Sequence, residues 1–259
     1  MFGHSFSFLK MLRFLSALLP LLFVGLAMQA QEATDVAKGK ADAGKQMEAV
    51  KQRLKKLSAT EYDLDGIKIN AASREVRIPA KVELKKAPIE YMLVHETGKT
   101  HESVLTTAIS PTAIQLALLL ANYQAASQGL LTHMPEAELP PWKEVAPTTA
   151  GANRLIIEVE WQAGGKTQTT PLATWVQNVD TRQPPPDLET WVFNGSYVDE
   201  RGFIGEYEGS IIAVWVDRGA LINSPAEGNW RDELWISRPD TIPDEGTPVT
   251  VIIRPPNPS

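Results

Sequence analysis

The sequence contains no cysteine. That absence excludes disulfide bonds, thiolate metal sites, iron–sulfur clusters and cysteine nucleophiles, and it excludes the lipid-modified cysteine of a bacterial lipoprotein. Cations are also in short supply, because 25 lysines and arginines stand against 31 aspartates and glutamates, for a formal net charge of −6. Binding to nucleic acid depends on neutralising phosphates, so this balance argues against that class of protein. The acidity is explained more simply by solubility.

Long apolar runs are confined to the N-terminus. Lys10 and Arg13 precede the apolar segment 14–27, and small residues follow it. This order is typical of a secretory signal peptide, with cleavage after Ala27 or Ala30. An uncleaved membrane anchor is the alternative, although the run is shorter than the roughly 20 residues that a transmembrane helix needs. We therefore expect a periplasmic or secreted protein with no transmembrane span after signal cleavage.

The chain is predicted to divide into three parts. Residues 1–30 are the signal peptide, residues 31–61 are a charged lead, and residues 62–255 are a β-rich domain. The irregular, proline-bearing connection 125–153 is longer than most loops, so it is either a boundary between sub-lobes 62–125 and 154–255 or a functional lid.

The charged lead has its own periodicity. Met47, Val50, Leu54 and Leu57 recur at three- and four-residue steps, which predicts a short amphipathic helix over residues 44–58. Its lysines and Arg53 form a basic side. We interpret it as a solvated tether that packs its one apolar stripe against the domain. Contact of the helix with a membrane surface is the alternative.

The β-rich domain opens with the clearest period-two pattern in the chain. Apolar residues alternate with polar ones from Val76 to Leu84, which predicts a strand with one buried face. Pro79 interrupts the pattern and indicates an edge position or a bulge. Segments 203–207 and 211–216 predict a hairpin around Gly209, and 247–254 predicts the last strand.

Residues 89–123 are the centre of the predicted fold. Segments 89–96 and 99–107 are rich in β-branched and aromatic residues, and the Thr97-Gly98 pair between them predicts a tight antiparallel hairpin. A helix should follow at once, with Ser110 as its N-cap and Pro111 in its first turn. Its leucines and isoleucine cover most of its circumference, so we expect it to be buried against the sheet.

These elements predict a β-dominated α+β fold. We expect antiparallel sheets in a sandwich-like arrangement, with one buried helix packed on the sheet, preceded by the signal peptide and the short amphipathic helix.

Several segments resemble one bacterial family. They occur in order over roughly residues 62–255, and the most specific is Lys99–Ser103. The segments are 66–70, 76–80, 89–94, 98–105, 116–120, 191–196, 220–223 and 246–251. They are similar to the YdjY domain family of bacterial proteins. The resemblance implies a domain and an envelope location but no reaction. Some relatives are associated with iron–sulfur ferredoxin modules, and this feature does not carry over directly to a chain without cysteine.

The candidate site residues lie in the predicted hairpin. Glu90, His101, Glu102 and Ser103 form the best polar cluster, and one imidazole with one or two carboxylates on neighbouring strands can hold a divalent ion. Strand alternation, however, would send His101 and Glu102 to opposite faces. The alternative to a ligand site is a structural role, in which His101 and Glu102 form hydrogen bonds with buried backbone or side-chain groups beneath the helix. Ser103 beside His101 suggests a hydrolase, but no nucleophile elbow surrounds it.

Tryptophan and acidic side chains crowd the second half of the chain. Six tryptophans can line a carbohydrate or peptide groove, or form the core and rim of the fold. They are Trp161, Trp175, Trp191, Trp215, Trp230 and Trp235. Seven acidic residues lack the spacing of a calcium-binding motif, so we expect a solvated face. They are Asp199, Glu200, Glu206, Glu208, Asp217, Asp232 and Glu233.

Together these features predict a non-catalytic binding or accessory module of the cell envelope. Its partner would be another envelope protein or a small ligand, and the sequence identifies neither a cofactor nor a metal. The alternative is a metal-dependent or hydrolytic enzyme centred on His101 and Glu102.

Overall fold

The structure is a computed structural model that describes residues 31–140, 151–185 and 188–256. The predicted signal peptide and its cleavage sites lie outside the described residues. Three α-helices occur in the described part of the chain: α1 over residues 31–51, α2 at Pro111–Leu120 and α3 at Ile204–Glu208. None of the helices in the described ranges is both long and apolar enough to cross a membrane.

Sixteen strands make up the rest of the regular structure in the described ranges. In chain order they are β1 Lys55–Lys56, β2 Glu61–Leu64, β3 Ile67–Asn70, β4 Glu75–Val82, β5 Tyr91–His95, β6 Ser103–Thr107, β7 Arg154–Ala163, β8 Lys166–Pro171, β9 Val176–Asn178, β10 Trp191–Phe193, β11 Val198–Asp199, β12 Gly202–Phe203, β13 Ser210–Ala213, β14 Ile222–Asn223, β15 Trp235–Ser237 and β16 Pro248–Arg254.

Eight of these strands close into a barrel. They pair in the order β4, β16, β7, β10, β14, β13, β5 and β6, and β6 pairs back with β4. The barrel is mixed, because β5–β6 and β13–β14 are parallel while the other pairs are antiparallel. The fold is β-dominated α+β with few helices, as predicted, but the antiparallel sandwich is not what forms. The closed sheet takes strands from both predicted sub-lobes.

Strand β4 allows the sheet to close, because it pairs with different strands at its two ends. It pairs with β16 along most of its length, with β3 at its first residues and with β6 at its last. Pro79 lies between these two partners, where β4 pairs with β16 alone, so the predicted edge position applies locally although β4 is a strand of the closed barrel. Its missing N–H is tolerated because β3 ends before it and β6 begins after it. Its carbonyl accepts a hydrogen bond from the Thr107 hydroxyl at 2.7 Å.

Helix α2 is buried as the sequence predicts. Ser110 caps it, since its Oγ accepts from the Ala113 amide, and Pro111 takes the first turn. The apolar side chains of α2 join the main core, which also contains the inward faces of β3, β4, β7 and β16. Both faces of β5 are covered, since Met92 joins this core and its neighbour Tyr91 joins a second cluster with Ala213 and Ala220.

The lead differs from its prediction in extent. Within the described residues the helix covers 31–51 rather than 44–58, and Lys55 and Lys56 form the short strand β1. Val50 is buried, and Met47 and Leu54 pack against the core, so one stripe does dock. Leu57 is 58% exposed, because the helix has ended before it.

The predicted hairpin around Gly209 is wrong. Residues Ile204–Glu208 form helix α3, which Gly209 ends in the left-handed conformation (φ 72°). Only the second half of the pattern forms a strand, β13, and that strand pairs with β5 and β14. A glycine with positive φ suits a helix C-terminus as well as a hairpin turn, so the local signal did not separate the two.

Candidate functional site

The segment that joins β5 to β6 does not form the predicted antiparallel hairpin. Strand β6 lies parallel to β5, with Tyr91 opposite Ser103. The reversal at residues 97–98 is present, since the Gly98 amide donates to the His95 carbonyl at 2.8 Å. The chain then returns along β5 before β6 begins, so the predicted register is wrong. A turn signal specifies a reversal but not the direction of the strand that finally pairs.

His101 and Glu102 occupy a short 3₁₀ helix, Thr100–Glu102, in which no residue is buried. Their side chains are 80% and 24% exposed, and His101 Nε2 lies 3.8 Å from Glu102 Oε2. The prediction that this pair is buried beneath the helix is wrong. Because the return segment is helical here, the alternation of a strand does not apply to it.

Glu90 and Ser103 are less accessible. Ser103 is buried, and its Oγ donates to the Leu105 carbonyl at 2.8 Å. Glu90 is half-buried, and its amide donates to the Glu102 carbonyl at 3.0 Å. Burial raises the pKa of Glu90, the charge of Glu102 raises it further, and the Lys99 ammonium opposes both. The structure therefore brings Glu90 close to Glu102, encloses Ser103 and directs His101 to the surface.

The segment Lys99–Ser103 contributes a polar network through its first residue. Lys99 Nζ donates to the Tyr91 hydroxyl at 2.5 Å, and that hydroxyl donates to Asp217 Oδ2 at 3.0 Å. Asp217 Oδ1 accepts from the Gly219 amide at 2.7 Å. Tyr91 is fully buried and Asp217 is 9% exposed. Burial and the neighbouring Asp217 carboxylate raise the pKa of Tyr91, so the phenol stays protonated and acts as a donor. We call Lys99, Tyr91 and Asp217 the motif network.

Two asparagines extend the motif network. Asn223 Oδ1 accepts from the Asp217 amide at 2.8 Å, and Asn223 Nδ2 donates to the Asp217 carbonyl at 2.8 Å and to Asn194 Oδ1 at 2.7 Å. Asn194 Nδ2 in turn donates to the Ala220 carbonyl at 2.8 Å. The network therefore fixes the loop between β13 and β14 against the start of β5.

Sequence reasoning missed the motif network. The prediction of a solvated acidic face is wrong for Asp217, whose side chain is buried and accepts two hydrogen bonds. Glu206 is a second exception, since its Oε2 accepts from the Ser110 and Thr112 hydroxyls and the Thr112 amide at 2.8–2.9 Å. The glycine two residues after Asp217 is a local turn signal that could have indicated a structural role.

A separate groove lies beside the two-stranded sheet of β9 and β15. It encloses about 460 Å³, which is within the range of roughly 300–1,000 Å³ for small-molecule sites. We call it the tryptophan groove. Its lining consists of Asn178, Asp180, Thr181, Gln183, Pro184, Glu227, Gly228, Trp230, Arg231, Leu234 and Trp235.

The two tryptophans of the groove differ in burial. Trp235 is 1% exposed, and its indole Nε1 is buried without a hydrogen-bond partner among the described residues. Trp230 is half-buried and packs partly on the cluster of Leu130, Leu131, Met134 and Val192. The Trp230 carbonyl accepts from the indole Nε1 of Trp215 at 3.3 Å, which holds the backbone of the groove wall.

The remaining predicted tryptophans are not in the groove. Trp175 and Trp191 are buried in the core, while Trp161 and Trp215 are half-buried. The aromatic rings therefore serve as core and rim, and two of them also line a groove.

Gly228 allows the groove wall to pack closely. Its φ is +85°, and a Cβ at this position would overlap Leu234 Cδ2 and lie 3.7 Å from Trp235 Cζ2. The benzene ring of Trp235 therefore packs beside Gly228 in this wall.

The charged groups of the groove lie at its rim. Asp180 and Glu227 are exposed carboxylates that form no ion pair with the described residues. Arg231 is also exposed, and its guanidinium pairs with Glu233 at 2.9 Å. The rim is therefore weakly acidic and does not favour an anionic ligand.

The family comparison matches the larger part of the chain. The model of the YdjY domain covers residues 67–254. The chain belongs to the YdjY domain family. No match was found among curated proteins or among solved structures. The matched range of the YdjY domain includes the motif network, the segment Lys99–Ser103 and every residue of the tryptophan groove.

In the part of the chain that the structure describes, no group of three or more histidine, aspartate or glutamate side chains is arranged to hold an ion. His101 has one carboxylate neighbour, Glu102, at 3.8 Å.

Proposed function

We propose that this YdjY-domain protein is an exported binding or accessory module of the cell envelope, and that the tryptophan groove is its binding site. The observation that carries the proposal is a groove of about 460 Å³ whose lining combines the half-buried ring of Trp230 with polar side chains from two segments of the chain, 178–184 and 227–231. A cleft of this size that joins an aromatic ring to a few polar groups is the ordinary form of a small-molecule site.

Export is supported by the order of residues at the N-terminus. A basic start, an apolar run and small residues precede the domain, as in a signal peptide. The absence of cysteine is compatible with an oxidising compartment, because no thiol is there to be oxidised.

The enzymatic alternative has less support. A hydrolase would need Ser103 within reach of substrate and base, but its hydroxyl is buried and donates to the Leu105 carbonyl. A metal site centred on His101 and Glu102 would need further ligands beside them. We therefore assign the 3₁₀ helix Thr100–Glu102 no catalytic role.

Export is tested by expressing the full chain with a C-terminal tag in a bacterium. Mass spectrometry of the protein recovered from the periplasm or medium should give an N-terminus at Met28 or Gln31. Recovery of the intact Met1 N-terminus in the membrane fraction would instead indicate an anchor.

Binding through the groove is tested by co-sedimentation with isolated, insoluble cell-envelope material. The wild-type protein should sediment, and Trp230→Ala should stay in the supernatant. Trp161→Ala is the matched control, since Trp161 is also half-buried but lies on β7, away from the groove. His101→Ala should sediment like the wild type. Equal sedimentation of the Trp230 variant and the wild type would reject the groove as the binding site.

A further inference from the structure

We infer that the ligand of the tryptophan groove is a neutral glycan chain. This inference rests on the proposed function, because it names the chemical class of ligand that the same groove would bind. Two features of the groove support it: its aromatic lining and the composition of its rim.

The aromatic lining suits a sugar ring. The C–H groups on one side of a pyranose carry slight positive charge, and the face of an indole ring is negative. Trp230 is held from behind by its packing on Leu130 and Leu131 and by the bond from Trp215 to its carbonyl, while its remaining surface lines the groove. A ring fixed in this way binds without a large loss of side-chain freedom.

The rim supplies the complementary groups. Asp180 and Glu227 are exposed and offer carboxylate oxygens to sugar hydroxyl donors, and Gln183 and Thr181 also line the groove. With Arg231 the lining carries two acidic groups and one basic group, so a glycan rich in carboxylate or sulfate would be repelled.

An extended peptide fits this groove less well. Peptides commonly add a strand to a free sheet edge. Both edges of β15 are taken, because β9 pairs with one and the other bonds to Ile89 and Ala87 through the Ile89 and Ser237 amides, at 3.1 and 3.0 Å. At the groove end of β9, the Asn178 amide already donates to the Gln183 carbonyl at 2.8 Å.

The experiment is calorimetric titration of the exported, purified protein with neutral oligomers of glucose and of N-acetylglucosamine. Oligolysine, a proline-rich peptide and an oligomer of a uronic acid are titrated in parallel. At least one neutral oligomer should bind with an affinity that does not change between low and high salt, because no ion pair forms. The uronic acid oligomer should not bind.

Variants locate the binding. Trp230→Ala should weaken binding about tenfold or more, as expected for an aromatic anchor. If circular dichroism shows that this variant unfolds, the double variant Asp180→Asn/Glu227→Gln carries the test, since both side chains are exposed and its binding should fall severalfold. Asp240→Asn is its matched control, because Asp240 is exposed and lies outside the groove.

Nitrogen-15 spectra locate the ligand. The indole N–H signals of Trp230 and Trp235, which line the groove, should shift when the neutral oligomer saturates the protein. The indole N–H of Trp175 is the internal control, since it is also buried and unpartnered among the described residues but does not line the groove.

The outcomes separate the two proposals. Binding of the peptide or oligolysine alone, lost in Trp230→Ala, would overturn the glycan inference and leave groove binding intact. Binding of a neutral oligomer that no groove variant weakens would overturn the assignment to this groove. Failure of every probe, together with envelope sedimentation that does not depend on Trp230, would overturn both proposals.

Discussion

Removing one oxygen from Tyr91 tests whether the motif network is architectural. Tyr91→Phe deletes the hydroxyl that links the Lys99 ammonium to the Asp217 carboxylate, at 2.5 and 3.0 Å, and leaves the ring packing in place. Lys99 is half-exposed, so water can replace the hydrogen bond that its ammonium loses, and this loss contributes little to the change in stability. Asp217 is 9% exposed and keeps its bond from the Gly219 amide, but one of its oxygens is left without a donor. We expect the free energy of unfolding to fall by about 2 kcal/mol.

A double-mutant cycle tests whether this loss of stability comes from the hydrogen bond between Tyr91 and Asp217. Asp217→Ala alone should also destabilise the protein, because it leaves the buried Tyr91 hydroxyl without its acceptor. In the double variant the two losses should overlap, with a coupling energy of about 1–2 kcal/mol. The assay is equilibrium unfolding in urea, followed by far-ultraviolet circular dichroism and by tryptophan fluorescence, with coincident transitions required before a free energy is taken.

The control is Tyr207→Phe. Tyr207 is 63% exposed, so loss of its hydroxyl should change the free energy of unfolding by less than about 0.5 kcal/mol. If Tyr91→Phe is as neutral as this control, or if the coupling to Asp217 is below about 0.5 kcal/mol, the network does not stabilise the fold. Lys99 would then have to be explained by function rather than by structure.

Three further predictions concern single side chains. Glu206→Ala should lower the free energy of unfolding by about 2 kcal/mol in urea titrations, because its carboxylate accepts three hydrogen bonds at the positive end of α2; Glu206→Gln should lose less. Burial raises the pKa of Glu90, so the folded state disfavours its charge and stability is lost as the pH rises above the ordinary value of 4.5. Glu90→Gln should therefore raise the free energy of unfolding at pH 7, but not at pH 3.5, by less than about 1 kcal/mol because the group is partly solvated, and the melting temperature at pH 7 should rise with it. An unchanged or lowered melting temperature at pH 7 would contradict this. Gly228→Ala should cost about 2 kcal/mol, since it adds a clash at φ +85°, whereas Gly44→Ala in helix α1, with no atom near its Cβ position, should be neutral or stabilising.

Elements with strong local signals were predictable from the sequence. The alternation from Val76 gives β4, with Val76, Ile78 and Val82 buried, and the terminal pattern gives β16 at Pro248–Arg254. Ser110 and Pro111 place the start of α2 correctly, because a cap and a first-turn proline act within one turn of chain.

What the sequence could not supply is the choice of strand partner. Residues 97–98 do reverse the chain, yet β6 lies parallel to β5, because its other edge pairs with β4 to close the barrel. That pairing depends on Lys81 meeting Thr106, which no local window contains. Contacts across long sequence separations decide between a sandwich and a barrel, and periodicity does not encode them.

The predictions of the candidate site residues were right or wrong for the same reason. Glu90 and Glu102 do lie near each other, but the helical return segment carries His101 outward, which a strand pattern could not indicate. Asp217 looked like one acid among several, and only the fold brings it to Tyr91 across 126 residues. The groove likewise joins segments 178–184 and 227–235, so sequence could suggest that the tryptophans were available but not which of them meet.

The motif network and the tryptophan groove are connected through the backbone around Glu90. The Glu90 carbonyl accepts from the amides of Val214 and Trp215, at 2.8 and 3.2 Å, and the Ile89 amide donates to the Trp235 carbonyl at 3.1 Å.

The backbone at the start of β5 therefore supports both walls of the groove. It bonds directly to Trp235, and it bonds to the backbone of Trp215, whose indole donates to the Trp230 carbonyl. Lys99 and Asp217 clamp that same end of β5 through the Tyr91 hydroxyl, from the return segment and from the loop after Trp215. This arrangement gives Lys99 a structural role, because its bond to the Tyr91 hydroxyl supports the strand end to which the backbone around both groove tryptophans is bonded.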